Sequence, residues 1–329
     1  MDEKTPITNT KEVDATTYQP PTTGFVSFLP SSWVPYAQLM RLDRPVGFYA
    51  FYFPYLVGIA YAASASHGIL QPLTLIKYAG LFFVWCIILR GASCTWNDNI
   101  DQDFDREVAR CRNRPIARGA VSTAQGHIFT VVQLFAGAAL LPRFPDACFT
   151  DAIFIAILFF IYPFGKRFTN YPQLILGFPF AAAVFMASHA LGVDPASPRM
   201  ISPTLCFCLG NVLWTMIYDT IYAHQDIRDD IKAGVKSMAV RFRDRTKPMT
   251  SVLAVIQIIL LATAGQMLGL GLIYFVVACA GTALCLASMI YLVDLSVPES
   301  CAWWFKADFW LVGGTMFFGL LGEYARRLL

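Results

Sequence analysis

Charged residues are scarce in this sequence. Only 14% of its 329 residues are Asp, Glu, Lys or Arg, against about 25% in an ordinary soluble domain. No CxxC pair occurs among the nine cysteines, and no cysteine and histidine have the spacing of a zinc site. With 56% hydrophobic residues, the chain is neither disordered nor a small disulfide-stapled domain, and a soluble enzyme is disfavoured.

The first 30 residues lack arginine, an amphipathic basic helix and a charged-then-apolar run. They therefore resemble neither a mitochondrial presequence nor a secretory signal. The run Pro20-Pro21-Thr22-Thr23 is typical of flexible polar segments. We expect residues 1–30 to form a flexible polar tail and residues 31–329 to form one domain.

Apolar segments, by contrast, are abundant. Many are about 20 residues long, which is what a helix needs to cross about 30 Å of hydrocarbon. Within a bilayer such spans must be helical because the lipid offers no partner to backbone N–H and C=O groups. We predict an all-α polytopic membrane protein with about nine transmembrane helices around a central cavity. The predicted spans are 46–64, 72–96, 122–141, 148–165, 172–192, 201–221, 249–269, 271–293 and 306–324.

The basic residues are distributed unequally between the two sides that these spans define. Nineteen of the 25 Lys and Arg fall in the N-terminal tail or in the loops after the even-numbered spans, and four fall on the opposite side. The positive-inside rule then places the N-terminus and the even loops in the cytosol. Lys77 and Arg90 lie inside the second span, and Arg90 there requires a partner or a wet cavity.

Two acidic clusters lie on this basic side. The first cluster, at the end of the second span, consists of Asn97, Asp98, Asp101 and Asp105. On a helical continuation of that span its three aspartates occupy positions i, i+3 and i+7 and share one face. The second cluster, after the sixth span, consists of Asp219, Asp226, Asp229 and Asp230, with Tyr222 between the first two. We expect the two clusters to meet at the cytosolic mouth of the bundle.

Crowded carboxylates repel one another, so such a mouth needs a cation. Carboxylate oxygens suit Mg²⁺, which is commonly held by one or two carboxylates together with a substrate phosphate. A ring of basic residues that would suit a phosphate surrounds the clusters: Arg106, Arg110, Arg112, Arg114, Arg118, Lys166, Arg167, Arg228, Lys232 and Lys236. The alternatives are salt-bridged, solvated loop helices for the carboxylates, and topology or anionic lipids for the basic residues.

Aromatic side chains are frequent below this mouth. The first span carries Phe48, Tyr49, Phe51, Tyr52 and Phe53. A chamber lined by some of them would stabilise a carbocation through cation–π attraction. The alternative is that they pack against other helices or face lipid.

The acidic motifs resemble those of a known family. Asn97-Asp98-x-x-Asp101-x-x-x-Asp105 is similar to the first diphosphate motif of the UbiA family of intramembrane aromatic prenyltransferases, and residues 218–230 resemble its second motif. Similar stretches at 41–47, 112–115 and 162–173 extend the resemblance over about residues 33–325. The 4-hydroxybenzoate polyprenyltransferase branch is the most similar, and without a presequence the chain looks closest to the fungal prenyltransferases of meroterpenoid pathways.

The resemblance implies a function and a site. A prenyl chain, farnesyl in the fungal pathways, passes from its diphosphate to a polyketide-derived phenolic acid with Mg²⁺ as cofactor. The implied metal and catalytic residues are Asp98, Asp101, Asp105, Asp219 and Asp226, with Asp229 and Asp230 as further metal ligands. The implied substrate-binding residues are Asn97, Arg112, Arg114, Tyr162, Lys166, Tyr222 and Lys232, with Arg41 and Arg44 for the acceptor's carboxylate.

Two other functions remain open at this level. One is a 4-hydroxybenzoate polyprenyltransferase of ubiquinone biosynthesis, which would keep the fold and change the acceptor. The other is an ion-coupled transporter, although transporters place their coupling charges near the bilayer midplane and these aspartates lie at the surface. We expect partners among small substrates and membrane lipids, not nucleic acid, and a location in the endoplasmic reticulum or another non-mitochondrial endomembrane.

Overall fold

The apolar runs of the sequence form long helices. The computed structural model describes residues 18–329, so residues 1–17 of the expected tail lie outside the described range. Within that range the chain contains helices and no strand. The α-helices are α1 Val34–Leu39, α2 Phe48–Ala65, α3 Pro72–Ile100, α4 Gln102–Glu107, α5 Thr123–Leu140, α6 Ala147–Phe168, α7 Pro172–Ala190, α8 Ile201–Ala223, α9 Ile227–Ala233, α10 Met238–Phe242, α11 Thr246–Leu268, α12 Gly281–Leu292, α13 Pro298–Asp308 and α14 Gly314–Leu328.

Eight helical runs in residues 18–329 are long and apolar enough to cross a membrane. They correspond to the first eight predicted spans, and most ends differ by a few residues. The runs Ile201–Ala233 and Met238–Leu268 extend further, into the loop between the sixth and seventh predicted spans. The ninth predicted span, 306–324, lies in α13 and α14, which the π-helical segment Phe309–Gly313 joins into one continuous run. A second π-helical segment, Tyr274–Ala280, leads into α12. The predicted all-helical membrane architecture is confirmed.

Local sequence signals explain where the helices begin and end. Pro72 and Pro172 occupy the first turn of α3 and α7, where a missing N–H costs nothing. Ser122 and Gln125 form a capping box at the start of α5, each side chain accepting from the other residue's backbone N–H. Gly269 ends α11 with a φ of 65°, a left-handed conformation that glycine adopts without strain.

The helices form a central group and a lipid-facing shell. In α7 and in the apolar stretches that include α2 and α8, 67–72% of the residues are buried, whereas the runs with α3, α5, α6, α11 and α12 are only 22–33% buried. Small residues allow the central helices to approach closely, as is usual in membranes, where close packing and not the hydrophobic effect drives helix association. A Cβ at Gly58 in α2 would lie 2.8 Å from the Ala187 Cβ and 3.0 Å from the Val184 Cα of α7.

The end of α3 departs from the expected single helix. α3 stops at Ile100, Asp101 has non-helical dihedral angles, and α4 resumes at Gln102. The backbone N–H of Asp105 still donates to the Asp101 carbonyl at 2.8 Å. The three aspartates of the first cluster therefore remain on neighbouring turns, but the break at Asp101 sends its carboxylate toward a different partner, as described below.

The tight contact at Gly58 predicts a stability effect. Gly58→Val should destabilise the protein by about 1–3 kcal/mol, because the added atoms meet the backbone of α7 and cannot be accommodated by a rotamer change. Gly80→Val in α3 is the matched control, since no atom of the described part of the chain lies within 4 Å of its Cβ position. Thermal melting of the detergent-purified variants measures the difference, and equal melting temperatures would contradict this packing.

Candidate active site

A cavity of about 730 Å³ opens at one end of the helical bundle. Its volume lies within the range of small-molecule sites. Both acidic clusters contribute to its wall, the first with Asn97, Asp101 and Asp105 and the second with Asp219, Asp226 and Asp230. Clusters separated by more than a hundred residues in the chain therefore share one cavity at the bundle's rim.

The carboxylates of the first cluster are buried and are ion-paired. Asp101, whose side chain is 1% exposed, accepts from the Lys166 Nζ of α6 at 2.5 Å. Asp98 is fully buried and accepts from Arg41 at 2.5 Å and from Arg114 at 3.2 Å. Arg114 also donates to Asp105 at 2.9 Å. Pairing of this kind compensates the large cost of removing a carboxylate from water.

The second cluster is held by the loop that follows the first. The Arg110 guanidinium donates to both carboxylate oxygens of Asp226 and to the Tyr222 hydroxyl, the latter at 3.1 Å. The backbone N–H of Ala109 donates to Asp229 at 3.0 Å. These contacts fasten the segment after α4 to α8 and α9, so the two clusters are connected through residues 109 and 110.

The donor set fits a hard cation such as Mg²⁺. Buried oxygens of Asn97, Asp98 and Asp101 have no hydrogen-bond partner within the described chain, and carboxylate and amide oxygens are ligands that Mg²⁺ accepts. Among residues 18–329, however, no three His, Cys, Asp or Glu side chains are already grouped as a metal site. Each paired carboxylate also binds an arginine or lysine, so a metal would compete with these side chains as it binds.

Electrostatics around Asp105 favour additional positive charge. Burial raises the pKa of the Asp105 carboxyl to about 6, although the neighbouring Arg114 guanidinium favours its charged form. A cation brought into the cavity would offset the penalty of burial. The acidic wall of the cavity is therefore suited to a ligand that arrives with its own positive charge.

Aromatic rings close the cavity on its apolar side. Phe51 of α2, Phe159 of α6 and Phe180 of α7 line it and contact one another, with ring centroids 5.1–5.4 Å apart. We call these three residues the aromatic floor. Phe159 lies seven residues before Lys166 on α6, which places the floor about 10 Å below the ion pairs. The floor and the ion pairs thus define an apolar chamber beneath a charged rim.

Some of the site residues predicted from the sequence line the cavity and others do not. Arg41, Arg44, Arg114, Tyr162, Lys166 and Tyr222 line the cavity with the six acidic-cluster residues named above. Asp98 lies behind the wall, and Asp229, Arg112 and Lys232 are not among the lining residues. The sequence predicts that some of the five aromatic residues of the first span line the chamber; Phe51 does so, and the other four do not. Phe53, for example, packs against Trp310 instead.

Several lining residues are not predicted as site residues by the sequence motifs. The sequence places Arg110 only in the surrounding basic ring and gives no role to Phe159 and Phe180. A helical signal was available for Phe159, because Phe159, Tyr162 and Lys166 occupy positions i, i+3 and i+7 of α6. Phe180 lies seven residues after Gln173 on the same face of α7, and both residues line the cavity.

Fold and site together define a helical integral membrane protein with a charged cavity above an apolar chamber. The sequence profile of the UbiA prenyltransferase family matches residues 51–319. The chain belongs to the UbiA prenyltransferase family. An ion-coupled transporter is thereby set aside.

Fungal relatives agree with this assignment. The prenyltransferase ascA of Acremonium egyptiacum is 42% identical over 295 residues, covering 90% of this chain and 86% of the relative. The prenyltransferase stbC of Stachybotrys bisbyi is 38% identical and covers 92% and 89%. The DMOA farnesyltransferase nvfB of Aspergillus novofumigatus is 39% identical and covers 78% and 80%.

Solved structures share the fold. A UbiA homolog from Archaeoglobus fulgidus bound to GPP and Mg²⁺ has a TM-score of 0.65 at 19% identity, over 88% of this chain and 99% of the homolog. The apo UbiA homolog from Aeropyrum pernix K1 has a TM-score of 0.66 at 22% identity, over 82% and 97%. At these identities the likeness concerns the fold.

The ion pairs predict which carboxylates are essential. Asp101→Ala and Asp226→Ala should each abolish prenyl transfer and leave the protein folded, because each removes a carboxylate from the cavity wall. Asp103→Ala is the control, since Asp103 lies between cluster residues in the sequence but is 78% exposed and, within residues 18–329, pairs only with Arg106. Transfer of radiolabelled prenyl groups in microsomes provides the measurement. Normal transfer by both cavity variants would contradict the assignment.

Proposed function

We propose that the protein transfers a farnesyl chain from its diphosphate to a polyketide-derived phenolic acid, with Mg²⁺ as cofactor. The observation that supports this most is the meeting of both acidic clusters, with Arg110, Arg114 and Lys166 between them, above an aromatic chamber. A prenyl diphosphate matches this arrangement, because it has a charged head and an apolar tail. The reaction belongs to terpenoid secondary metabolism, as in the fungal meroterpenoid pathways that the motifs resemble.

The diphosphate is assigned to the charged rim. Mg²⁺, when bound by the carboxylates and Asn97, would neutralise part of the charge on the leaving group. Once the carboxylates have a metal partner, the Lys166 ammonium and the Arg110 and Arg114 guanidiniums are available to the phosphate oxygens. Tyr162 lines the cavity one helical turn from Lys166 and is placed beside the same group.

The acceptor is assigned to the wall formed by the 41–47 turn. Arg44 lines the cavity, and its side chain is 53% exposed, with a carboxylate of Asp43 3.6 Å away. Arg41 is engaged by Asp98. We therefore assign the acceptor's carboxylate chiefly to Arg44, with Arg41 in support. This assignment refines the equal roles that the sequence resemblance implied.

The proposed reaction is an electrophilic aromatic substitution. The C–O bond to the diphosphate breaks, the diphosphate leaves with the electron pair, and the allylic cation forms between the rim and the aromatic floor. Phe51, Phe159 and Tyr218 line the cavity in which we place the cation, and the face of an aromatic ring attracts a cation. A carbon of the phenol ring then forms the new C–C bond, and its proton passes to a carboxylate or to the diphosphate.

Water must be excluded for this step, since water would convert the cation to an alcohol. Below the rim the lining residues are largely apolar, including Ala50, Phe51 and Leu176. The packed rings of the aromatic floor close the far end. The residues of the chain thus supply a dry chamber, while the charged rim holds the leaving group.

The membrane placement follows from the basic residues. The cavity is lined by the segments that carry most of the Lys and Arg, such as residues 104–114 and the end of α6. On the positive-inside rule we assign this face to the cytosol. The endoplasmic reticulum or another non-mitochondrial endomembrane is the proposed location. A 4-hydroxybenzoate polyprenyltransferase of ubiquinone biosynthesis remains the alternative acceptor assignment.

A substrate panel tests the proposal directly. Membranes containing the protein should convert farnesyl diphosphate and a polyketide-type phenolic acid to a C-prenylated product, which mass spectrometry identifies. 4-Hydroxybenzoate in the same panel separates the ubiquinone alternative. EDTA should stop the reaction and added Mg²⁺ should restore it. Undiminished turnover in EDTA, or a product only with 4-hydroxybenzoate, would overturn the proposal.

The aromatic floor predicts donor length. Phe159→Ala should allow geranylgeranyl diphosphate to be used better relative to farnesyl diphosphate, because the side chain that ends the chamber is removed. The ratio of the two kcat/KM values is the measurement. Phe154→Ala on the same helix is the control, since Phe154 is 55% exposed. An unchanged ratio in Phe159→Ala, with the protein folded, would show that the floor does not limit the chain.

A further inference from the structure

Arg90 is an unusual residue in this fold. It lies within α3, a membrane-spanning helix, and is only 6% exposed. No carboxylate in residues 18–329 forms an ion pair with it. Ionisable residues inside a membrane are rare and usually have a function. The contacts of Arg90 indicate what that function is.

The guanidinium of Arg90 is bound by backbone carbonyls. Its Nη1 donates to the Arg41 carbonyl at 3.1 Å, and its Nη2 donates to the Arg44 carbonyl at 2.6 Å. Both carbonyls belong to the 41–47 turn that leads into α2. One buried side chain on α3 therefore holds two points of a turn that lies about 50 residues earlier in the chain.

The turn that Arg90 holds is strained. Arg41 has a φ of 60°, which lies in the left-handed region that residues other than glycine seldom adopt. Strained residues of this kind persist where the surrounding structure holds them in place. In this conformation the Arg41 side chain reaches Asp98 at 2.5 Å, and Arg44 faces the cavity. The strain is thus located at residues that form the cavity wall.

Gly47 makes room for this arrangement. A Cβ at position 47 would lie 3.0 Å from the Arg90 Nη2. The backbone of Gly47 has a φ of −67°, which any residue can adopt. Glycine is therefore needed at position 47 because the guanidinium approaches closely, and not because of the backbone conformation.

We propose that Arg90 is a positioning residue that holds the 41–47 turn, so that Arg41 remains against Asp98 and Arg44 remains at the cavity wall. The inference rests on the proposed function only in taking a prenyl diphosphate as the ligand of the cavity. Because Arg90 also lines the cavity, direct contact with the ligand is the competing explanation. The two explanations differ in whether Arg90 acts through Arg41.

A double-mutant cycle decides between them. The affinity of the detergent-purified protein for farnesyl thiodiphosphate with Mg²⁺ is measured by calorimetry. Arg90→Met should weaken binding about tenfold in the wild-type background and less than about twofold in an Arg41→Met background, because coupled residues are not additive. Arg90→Lys should recover part of the loss. Equal losses in both backgrounds would overturn the proposal.

Hydrogen–deuterium exchange examines the turn without ligand. Arg90→Met should speed amide exchange in the peptide that contains residues 41–47. Arg327→Met is the matched control, because Arg327 also donates to backbone carbonyls, those of Ser64 and Ser66 at the opposite end of α2. It should lower stability without affecting the 41–47 peptide. Unchanged exchange in a folded Arg90→Met variant would also overturn the proposal.

Gly47→Ala provides a milder variant if Arg90→Met fails to fold. The added methyl group should displace the guanidinium and speed exchange at 41–47, whereas in an Arg90→Lys background its additional effect should be smaller. Equal effects of Gly47→Ala in the two backgrounds would contradict the role of Arg90. If the wild-type protein does not bind farnesyl thiodiphosphate, the proposed function fails, and the exchange experiment still decides the positioning role.

Discussion

Compensation of buried carboxylates by arginine and lysine is the constraint on which the rim of this protein depends. Asp98 and Asp101 have side chains that are 0% and 1% exposed, and an unpaired carboxylate in such surroundings would be strongly destabilising. Their partners come from the 41–47 turn, from the loop after α4 and from the end of α6. These pairs join three segments at the rim, so the charges that form the cavity also help to fix its shape.

The same pairing prepares the cavity for a ligand with two kinds of charge. A ligand that brings a divalent cation and a phosphate group can satisfy both halves of each ion pair, since the cation suits the carboxylates and the phosphate suits the basic side chains. Arg110 and Lys166 illustrate this, each holding one carboxylate of the cavity wall. On the proposed function, the carboxylates and the basic side chains exchange each other for the cation and the phosphate when the ligand binds, and the cavity wall is already assembled.

The apolar part of the fold depends on close helix packing and not on ion pairs. The lipid-facing helices expose large side chains such as Ile128 and Phe135 on α5, while α2, α7 and α8 approach through small residues such as Gly58. Close approach of these helices fills the centre of the bundle, and the cavity opens at the rim, where the ion-paired segments meet. The aromatic floor marks the boundary between the two regimes.

The sequence by itself determined the helical spans, the basic side and the two acidic clusters, because these depend on local composition and on spacing along one helix. It did not determine that α3 breaks at Asp101, that Arg110 holds Asp226, or that Phe159 and Phe180 end the chamber beside Phe51. Those features depend on which helices pack against each other and on how far each helix is shifted along the bundle axis. Only the tertiary structure decides that, since each contact joins segments that are far apart in the chain and is set by the packing of the whole bundle.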